Sequence, residues 1–387
     1  MTGRVRATRE HRPPDRPALR VAPGDDVAVG ELDDEWPAFR WCESGGVGGW
    51  VPDRHLRRLG GGRAVVVRAY DTTELAADPG DDLEVVERDD ESGWLRCRDA
   101  HGAEGWIPVA AVVPALHANG VTLTYENLLG GEPTLVFLHG NSSHRGIWRA
   151  VAAELADYRR VLVDVRGHGD SDHVDPPAYD PADEAEDLAA IVRELVHEPY
   201  VVVGHSNGAL AAAAFAAGDY GVPKPSALVW GDIDPNVPEW QVEFFHGAAE
   251  RIGRVYADAD DAAASFLRTY PNIRRELLEP FVAEALRRVD GGFRMKLDPQ
   301  VYATFAPEDL RPLLPRIDCP VLVLRGGASI VMTDAGLADL RAGLVRSEVA
   351  VIPEASHMMV LERPEAVASA IHDFLGGRPR RPPNERG

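Results

Sequence analysis

Two regimes of apolar spacing divide the chain. From about His117 onward, short continuous apolar runs alternate with stretches whose apolar residues recur every three or four positions. GVTLTYE, PTLVFLHG, RRVLVDV, YVVV, SALVW, CPVLVLRG and SEVAVI read as strands, and PADEAEDLAAIVREL and ALAAAAFAA as helices packed on them. Such alternation predicts a doubly wound, mostly parallel sheet whose chemistry collects at the carboxyl ends of its strands. Before His117 the apolar runs are shorter, strictly alternating, and separated by Gly/Asp turns, the pattern of small β-barrels.

That first region is also internally repeated. ALRVAPGDDVAVGELDDEWPAFRWCESGGVGGWVPDRHL matches TELAADPGDDLEVVERDDESGWLRCRDAHGAEGWIPVAAV, with PGDD at 23–26 and 79–82, Trp36 against Trp94, and GW(V/I)P at 49–52 and 105–108. The order of PGDD loop, strand, tryptophan and GW(V/I)P resembles the SH3-like fold over roughly residues 5–115. We expect one barrel at 1–60 and a second at 61–115. In that family an aromatic groove takes proline-rich peptides, which implies a protein or peptide partner. Tyr70 and Trp94 stand at groove positions of the second copy, while Thr72 replaces a usual tyrosine and Ala111 falls near the site of another; the first copy has Trp36, with Thr8 opposite Tyr70.

Composition narrows the classes. The 387 residues carry 62 acidic and 41 basic side chains, a formal charge of -21 that disfavours nucleic acid and anionic membrane as partners. Cys42, Cys97 and Cys319 are scattered and lack C-x-x-C spacing, so neither a disulfide scaffold nor a zinc site is expected. No apolar run has signal-peptide or spanning character, and the expected location is cytoplasmic.

Chemistry enters at Gly204-His205-Ser206-Asn207-Gly208, a G-x-S-x-G pentapeptide between the YVVV strand and the alanine-rich helix. In that pattern a sharp turn presents the serine, and glycines permit the close approach of strand and helix. With the strand order and the HGNSSH loop at 139–144, residues 117–376 resemble the α/β-hydrolase family. The resemblance implies Ser206 as nucleophile and His357, in EASHMMVLERPE after the last strand, as its base. It implies an oxyanion hole from the backbone N–H groups of Asn207 and Asn141. Arg166, His168 and Asp170 of RGHGDSD, with His139 and Gly140, read as loop-shaping.

The acid departs from the family's pattern. Where many relatives carry an aspartate after the CPVLVLRG strand, this chain has Ser329 and Ile330. Asp334, further on, reads as a helix N-cap. An acid after the preceding strand is the other arrangement, and SALVWGDIDP offers Asp232, with Asp234 as the alternative.

Between Asp234 and Asp318, the helically spaced segments VEFFHGAAERIGRVYA, AAASFLRTY and IRRELLEPFVAEALRRV lie where relatives carry a lid, at about 236–315. Trp240, Phe244, Phe245, Phe266, Phe281, Tyr302 and Phe305 are its candidate pocket residues, implying a small-molecule substrate with an apolar acyl part. The Pro/Arg-rich tail 377–387 is expected to be disordered, and its Pro379-Arg380-Arg381-Pro382 has P-x-x-P spacing. The expected function is a cofactor-free, metal-free serine hydrolase acting on an ester, lactone or thioester through an acyl-enzyme. The alternatives are a biosynthetic thioesterase or cyclase releasing a carrier-bound acyl chain, or a non-catalytic scaffold using its SH3-like repeats.

Overall fold

The computed structural model describes residues 3–376 except Glu198; the Pro/Arg-rich tail at 377–387 lies outside the described residues. The chain divides into two compact units between Ala115 and Leu116.

The first unit holds two barrel cores that exchange strands. Arg4–Ala7, at the start of the first repeat, pairs antiparallel with Asp82–Asp89 and with residues 112–115 of the second, placing Val5 opposite Leu83 and Pro114. In return Arg63–Val66, which opens the second repeat, pairs with Leu56–Gly60 and with Asp26–Leu32 of the first. Val5 and Ala7 are therefore buried among Leu83, Val85, Leu95 and Ile107. Ala64 and Val66 are buried among Val27, Val51 and Leu56. The boundary expected at residue 60 is instead a turn inside a hairpin. Gly60, Gly61 and Gly62 take φ of 88°, 58° and 74°, a left-handed run that only glycine adopts without strain, and it turns the next strand back onto the barrel it has just left.

Register corrects the alignment of the repeats as well. Phe39 pairs with Pro52 as Trp94 pairs with Pro108, and Cys42 with Gly49 as Cys97 with Gly105. Phe39 is thus the counterpart of Trp94. Trp36 comes three residues earlier and packs edge-on against Trp94, ring centroids 5.4 Å apart.

In the second unit the strands are β1 (Val121–Leu128), β2 (Gly131–Leu138), β3 (Tyr158–Val163), β4 (Tyr200–His205), β5 (Ala227–Gly231), β6 (Val321–Gly326) and β7 (Ser347–Ile352). They lie in the order β1-β3-β2-β4-β5-β6-β7, with β1 antiparallel to β3 and the rest parallel. The central strand β4 is buried along its whole length, as its unbroken apolar sequence requires. Helix α1 (Pro181–Leu195) opens with proline at its first position, and the Asp183 carboxylate accepts the Asp180 N–H at 3.1 Å. Helix α2 (Asn207–Ala217) is buried on every side, and its alanines let its axis lie close to the sheet.

The insertion after β5 contains α3 (Glu239–Ile252), α4 (Ala259–Thr269) and α5 (Arg275–Ala285). Helical spacing over 273–289 predicts a longer α5, but the helix stops at Ala285. Residues Leu286–Val289 form a hairpin with Gly292–Met295, closed by Gly291 and Gly292 at φ 83° and 148°. Among the described residues no helix is long and apolar enough to cross a membrane.

Candidate active site

Ser206 joins β4 to α2 with φ 55° and ψ -129°, a strained backbone for a residue with a side chain. Two contacts hold it there: its N–H donates to Gly231 O on β5 at 2.7 Å, and its carbonyl accepts Ala209 N–H at 2.8 Å. Flanking glycines make the turn possible. A Cβ on Gly208 would stand 2.6 Å from the carbonyls of Leu138 and His139, and one on Gly204 would overlap the Gly208 carbonyl. Gly140 lies so near that its Cβ would meet Ser206 Cβ at 2.5 Å, which sets the HGNSSH loop against the serine.

His357 follows β7, and its Nδ1 lies 2.8 Å from Asp232 Oδ2. Asp232 directly follows β5, is fully buried, and has φ 48°. Gly326 N–H donates to its Oδ1 at 2.9 Å and Ser329 Oγ to its Oδ2 at 2.5 Å. Burial pushes the Asp232 carboxyl up, yet the bonds from His357, Ser329 and Gly326 outweigh it and hold the group below the usual carboxylate range. Ser329, standing where an acid was sought in the sequence, therefore supports a carboxylate supplied from the neighbouring strand.

His205 and Glu362, which the sequence reading did not assign to the site, also bond the segment that carries His357. His205 Nε2 donates to the His357 carbonyl at 2.8 Å, and the two rings lie 4.7 Å apart. Burial, with His357 beside it, lowers the His205 imidazole to about 3, so it stays neutral. Buried Glu362 accepts Ser356 N–H at 2.7 Å and Ser356 Oγ at 2.9 Å, pinning the residue before His357. His205, inside the pentapeptide, carried a positional signal; Glu362 carried none.

The other candidates separate. Asp234 turns to Thr333, accepting its N–H at 2.8 Å and its hydroxyl at 2.7 Å. The N-cap of helix α6 (Asp334–Gly343) is Thr333, whose Oγ1 accepts Gly336 N–H at 2.9 Å, rather than Asp334. Asp334 instead pairs with Arg325 at 2.6 Å. Asn207 opens α2, so no helical carbonyl takes its N–H. The Asn141 carboxamide is buried with neither end hydrogen-bonded among the described residues. His139 and His168 are buried edge to face, and Arg166 is bidentate to Asp187, roles in loop architecture.

The insertion is tied to the HGNSSH loop. His144 stacks on Phe281 with centroids 4.5 Å apart and its Nε2 donates to the Phe281 carbonyl at 2.9 Å. Buried Arg145 bonds Asp164, Asp170 and, across to α5, Glu284 at 2.7 Å. Phe245 packs on Tyr302 and Phe305, whereas Trp240 and Phe244 of α3 are 47% and 59% exposed. Those two point to solvent and do not join an interior pocket.

A sheet ordered in this way, with a strained serine after its central strand and a His–Asp pair in the segments that follow β7 and β5, defines a class. The chain belongs to the α/β-hydrolase family, whose model matches residues 135–370. SH3 domain models match residues 68–109 and, as the variant SH3 type, 4–59. Over 250 residues the chain is 27% identical to the 2-(acetamidomethylene)succinate hydrolase of Mesorhizobium japonicum, covering 64% of this chain and 89% of that one. It is 30% identical to the pimeloyl-[acyl-carrier protein] methyl ester esterase of Methylococcus capsulatus over 264 residues, 64% of this chain and 96% of the other. The solved structure of an E-2-(acetamidomethylene)succinate hydrolase superposes with a TM-score of 0.62 at 26% identity, covering 68% of this chain and 98% of that one.

Proposed function

We propose that this hydrolase is a serine esterase or thioesterase working through an acyl-enzyme, and the observation that carries the proposal is the 2.8 Å contact of His357 Nδ1 with buried Asp232. Asp232 holds the His357 proton on Nδ1, leaving Nε2 as base. Ser206 Oγ attacks the substrate carbonyl while Nε2 takes the hydroxyl proton, and the carbonyl electron pair moves onto oxygen, facing the N–H groups of Asn207 and Asn141. Collapse expels the leaving alcohol or thiol, which receives the proton from His357. Water then enters by the same route in reverse roles. No metal or cofactor takes part in these steps.

The insertion acts as a lid, and its Phe245, Tyr302 and Phe305 cluster favours an apolar acyl part. Labelling with a fluorophosphonate, read by intact mass, tests the reading: one adduct on the wild type and none on a folded Ser206→Ala. An unlabelled wild type, or a labelled variant, refutes it.

The first unit supports a docking role beside catalysis. A cleft is lined by Trp36 and Phe39 of the first repeat and by Tyr70, Trp94 and Trp106 of the second, with two carboxylates, Asp33 and Glu74, against one cation, Arg16. Aromatic walls and carboxylates suit a proline- and arginine-bearing segment. A synthetic peptide of residues 377–387 should change the tryptophan fluorescence of the wild type and not of Trp94→Ala. An equal response in both would dismiss the cleft as its site.

A further inference from the structure

Glu184 on α1 lies behind the proposed oxyanion donor, and its chemistry is unlike that of the other acids around it. It is 3% exposed, and the Asn207 carboxamide reaches it, Nδ2 lying 3.0 and 3.1 Å from its two oxygens. The nearest cation is already spent. Arg166 gives Nε and Nη2 to Asp187 at 2.6 and 2.7 Å and Nη1 to the Ala178 carbonyl at 3.0 Å. The remaining charged groups acting on Glu184 are acids: Asp187, Asp183 and Asp180. A small void beside it is walled by Leu123, Leu138, Val163, Val165, Leu188 and Ile191, and the polar residue that shares it with Glu184 is Asp187, another acid, already bonded by Arg166.

A buried carboxylate whose neighbouring cation is committed to another acid gives up its charge by binding a proton. Burial first, and then the neighbouring Asp187, hold the Glu184 carboxyl well above the ordinary range. A neutral acid has a proton to donate and needs an acceptor. Asn207 Oδ1 is buried and has no hydrogen-bond partner among the described residues. A small rotation of the carboxamide brings Oδ1 opposite the acid's O–H and leaves Nδ2 on the other oxygen, the two-bond ring that an acid and an amide form.

We propose that Glu184 is a positioning residue, a neutral carboxylic acid paired with the Asn207 carboxamide, which fixes the first residue of α2 and aims its backbone N–H at the reacting carbonyl. This rests on Ser206 being the nucleophile. The device is specific to the pair: ionised Glu184 can accept from Nδ2 but cannot donate to Oδ1, so one half of the ring is lost and the donor loosens. Activity is therefore complete while Glu184 is protonated and falls as pH rises through its raised value.

Two variants and two readouts test it. With p-nitrophenyl butyrate, Glu184→Leu should lose about ten- to a hundredfold in kcat with KM nearly unchanged, part of what a missing oxyanion donor costs. Glu184→Gln, which keeps an amide pair and cannot titrate, should hold most of kcat at neutral pH and lack the alkaline fall of the wild type. The infrared carboxylic-acid band expected from Glu184 at neutral pH should vanish in the same variant. An alkaline fall shared by wild type and Glu184→Gln, or a folded Glu184→Leu with wild-type kcat, overturns the proposal; if Glu184→Leu does not fold, the Gln profile decides. Fluorophosphonate labelling of the wild type separates the two levels. Absence of labelling defeats the nucleophile reading, whereas normal labelling with unchanged variants defeats the role of Glu184 alone.

Discussion

Asp232→Asn removes one charge from a fully buried position with almost no change of shape. In the wild type Oδ1 accepts from Gly326 N–H, and Oδ2 accepts from Ser329 Oγ and His357 Nδ1. Asparagine can answer Gly326 with its amide oxygen, but its NH₂ then faces Ser329 and His357. Ser329 can turn its hydroxyl and accept. His357 can accept only by placing its proton on Nε2, the nitrogen that has to receive the proton of Ser206. Holding the wrong tautomer costs about 10⁴ in kcat, or about 5.5 kcal/mol of transition-state stabilisation at roughly 1.36 kcal/mol per tenfold. Because the carboxyl is held below its usual range, it is ionised at neutral pH, and the loss should be the same across the plateau of the pH profile. Turnover of p-nitrophenyl butyrate measures the effect, and a thermal melt confirms that the variant is folded. Asp234→Asn is the control, since Asp234 bonds only Thr333 in the hydrogen-bond network described and should leave turnover within a few-fold. Turnover within tenfold of wild type for Asp232→Asn, or a larger loss for Asp234→Asn, would refute the reasoning.

Removing residues 1–8 should unsettle the second barrel rather than the first, because Val5 and Ala7 lie in the core of Leu83, Val85, Leu95 and Ile107. Hydrogen exchange should speed up over 82–89 and 112–115 and stay unchanged over 39–52; the opposite pattern would contradict the strand exchange. Stability should fall as pH drops from 7 to 5. Burial lowers His139 to about 4 and His168 and His205 to about 3, so the unfolded chain takes up protons at its ordinary histidine value that the folded chain refuses. That stability is fully present above the unfolded value and is lost as pH falls toward the folded ones. A denaturant midpoint equal at both pH values would show that these imidazoles do not resist protonation.

Much of this protein was legible one residue after another. The buried strand YVVV, the glycines around Ser206 and the alanines of α2 are local requirements, and the sheet they belong to follows from the spacing of apolar runs. Their side chains act on immediate neighbours in the chain, so periodicity and composition report them. The PGDD and GW(V/I)P repeats disclosed two barrel patterns in the same way. What stayed hidden were choices among partners far apart in sequence. Which barrel receives Arg4–Ala7 depends on a glycine turn that sends Arg63–Val66 backward, and no property of either strand encodes the exchange. Asp232 and Asp234 are two residues apart and equal by composition; one meets His357 and the other Thr333 because the chain leaves β5 with a positive φ at Asp232. Ser329, His205, Glu362 and Glu184 gain their roles only where strands and helices converge. A hydrogen bond depends on distance and direction to within tenths of an ångström, and those are set by the packing of the whole sheet, whereas an apolar residue needs only to be buried.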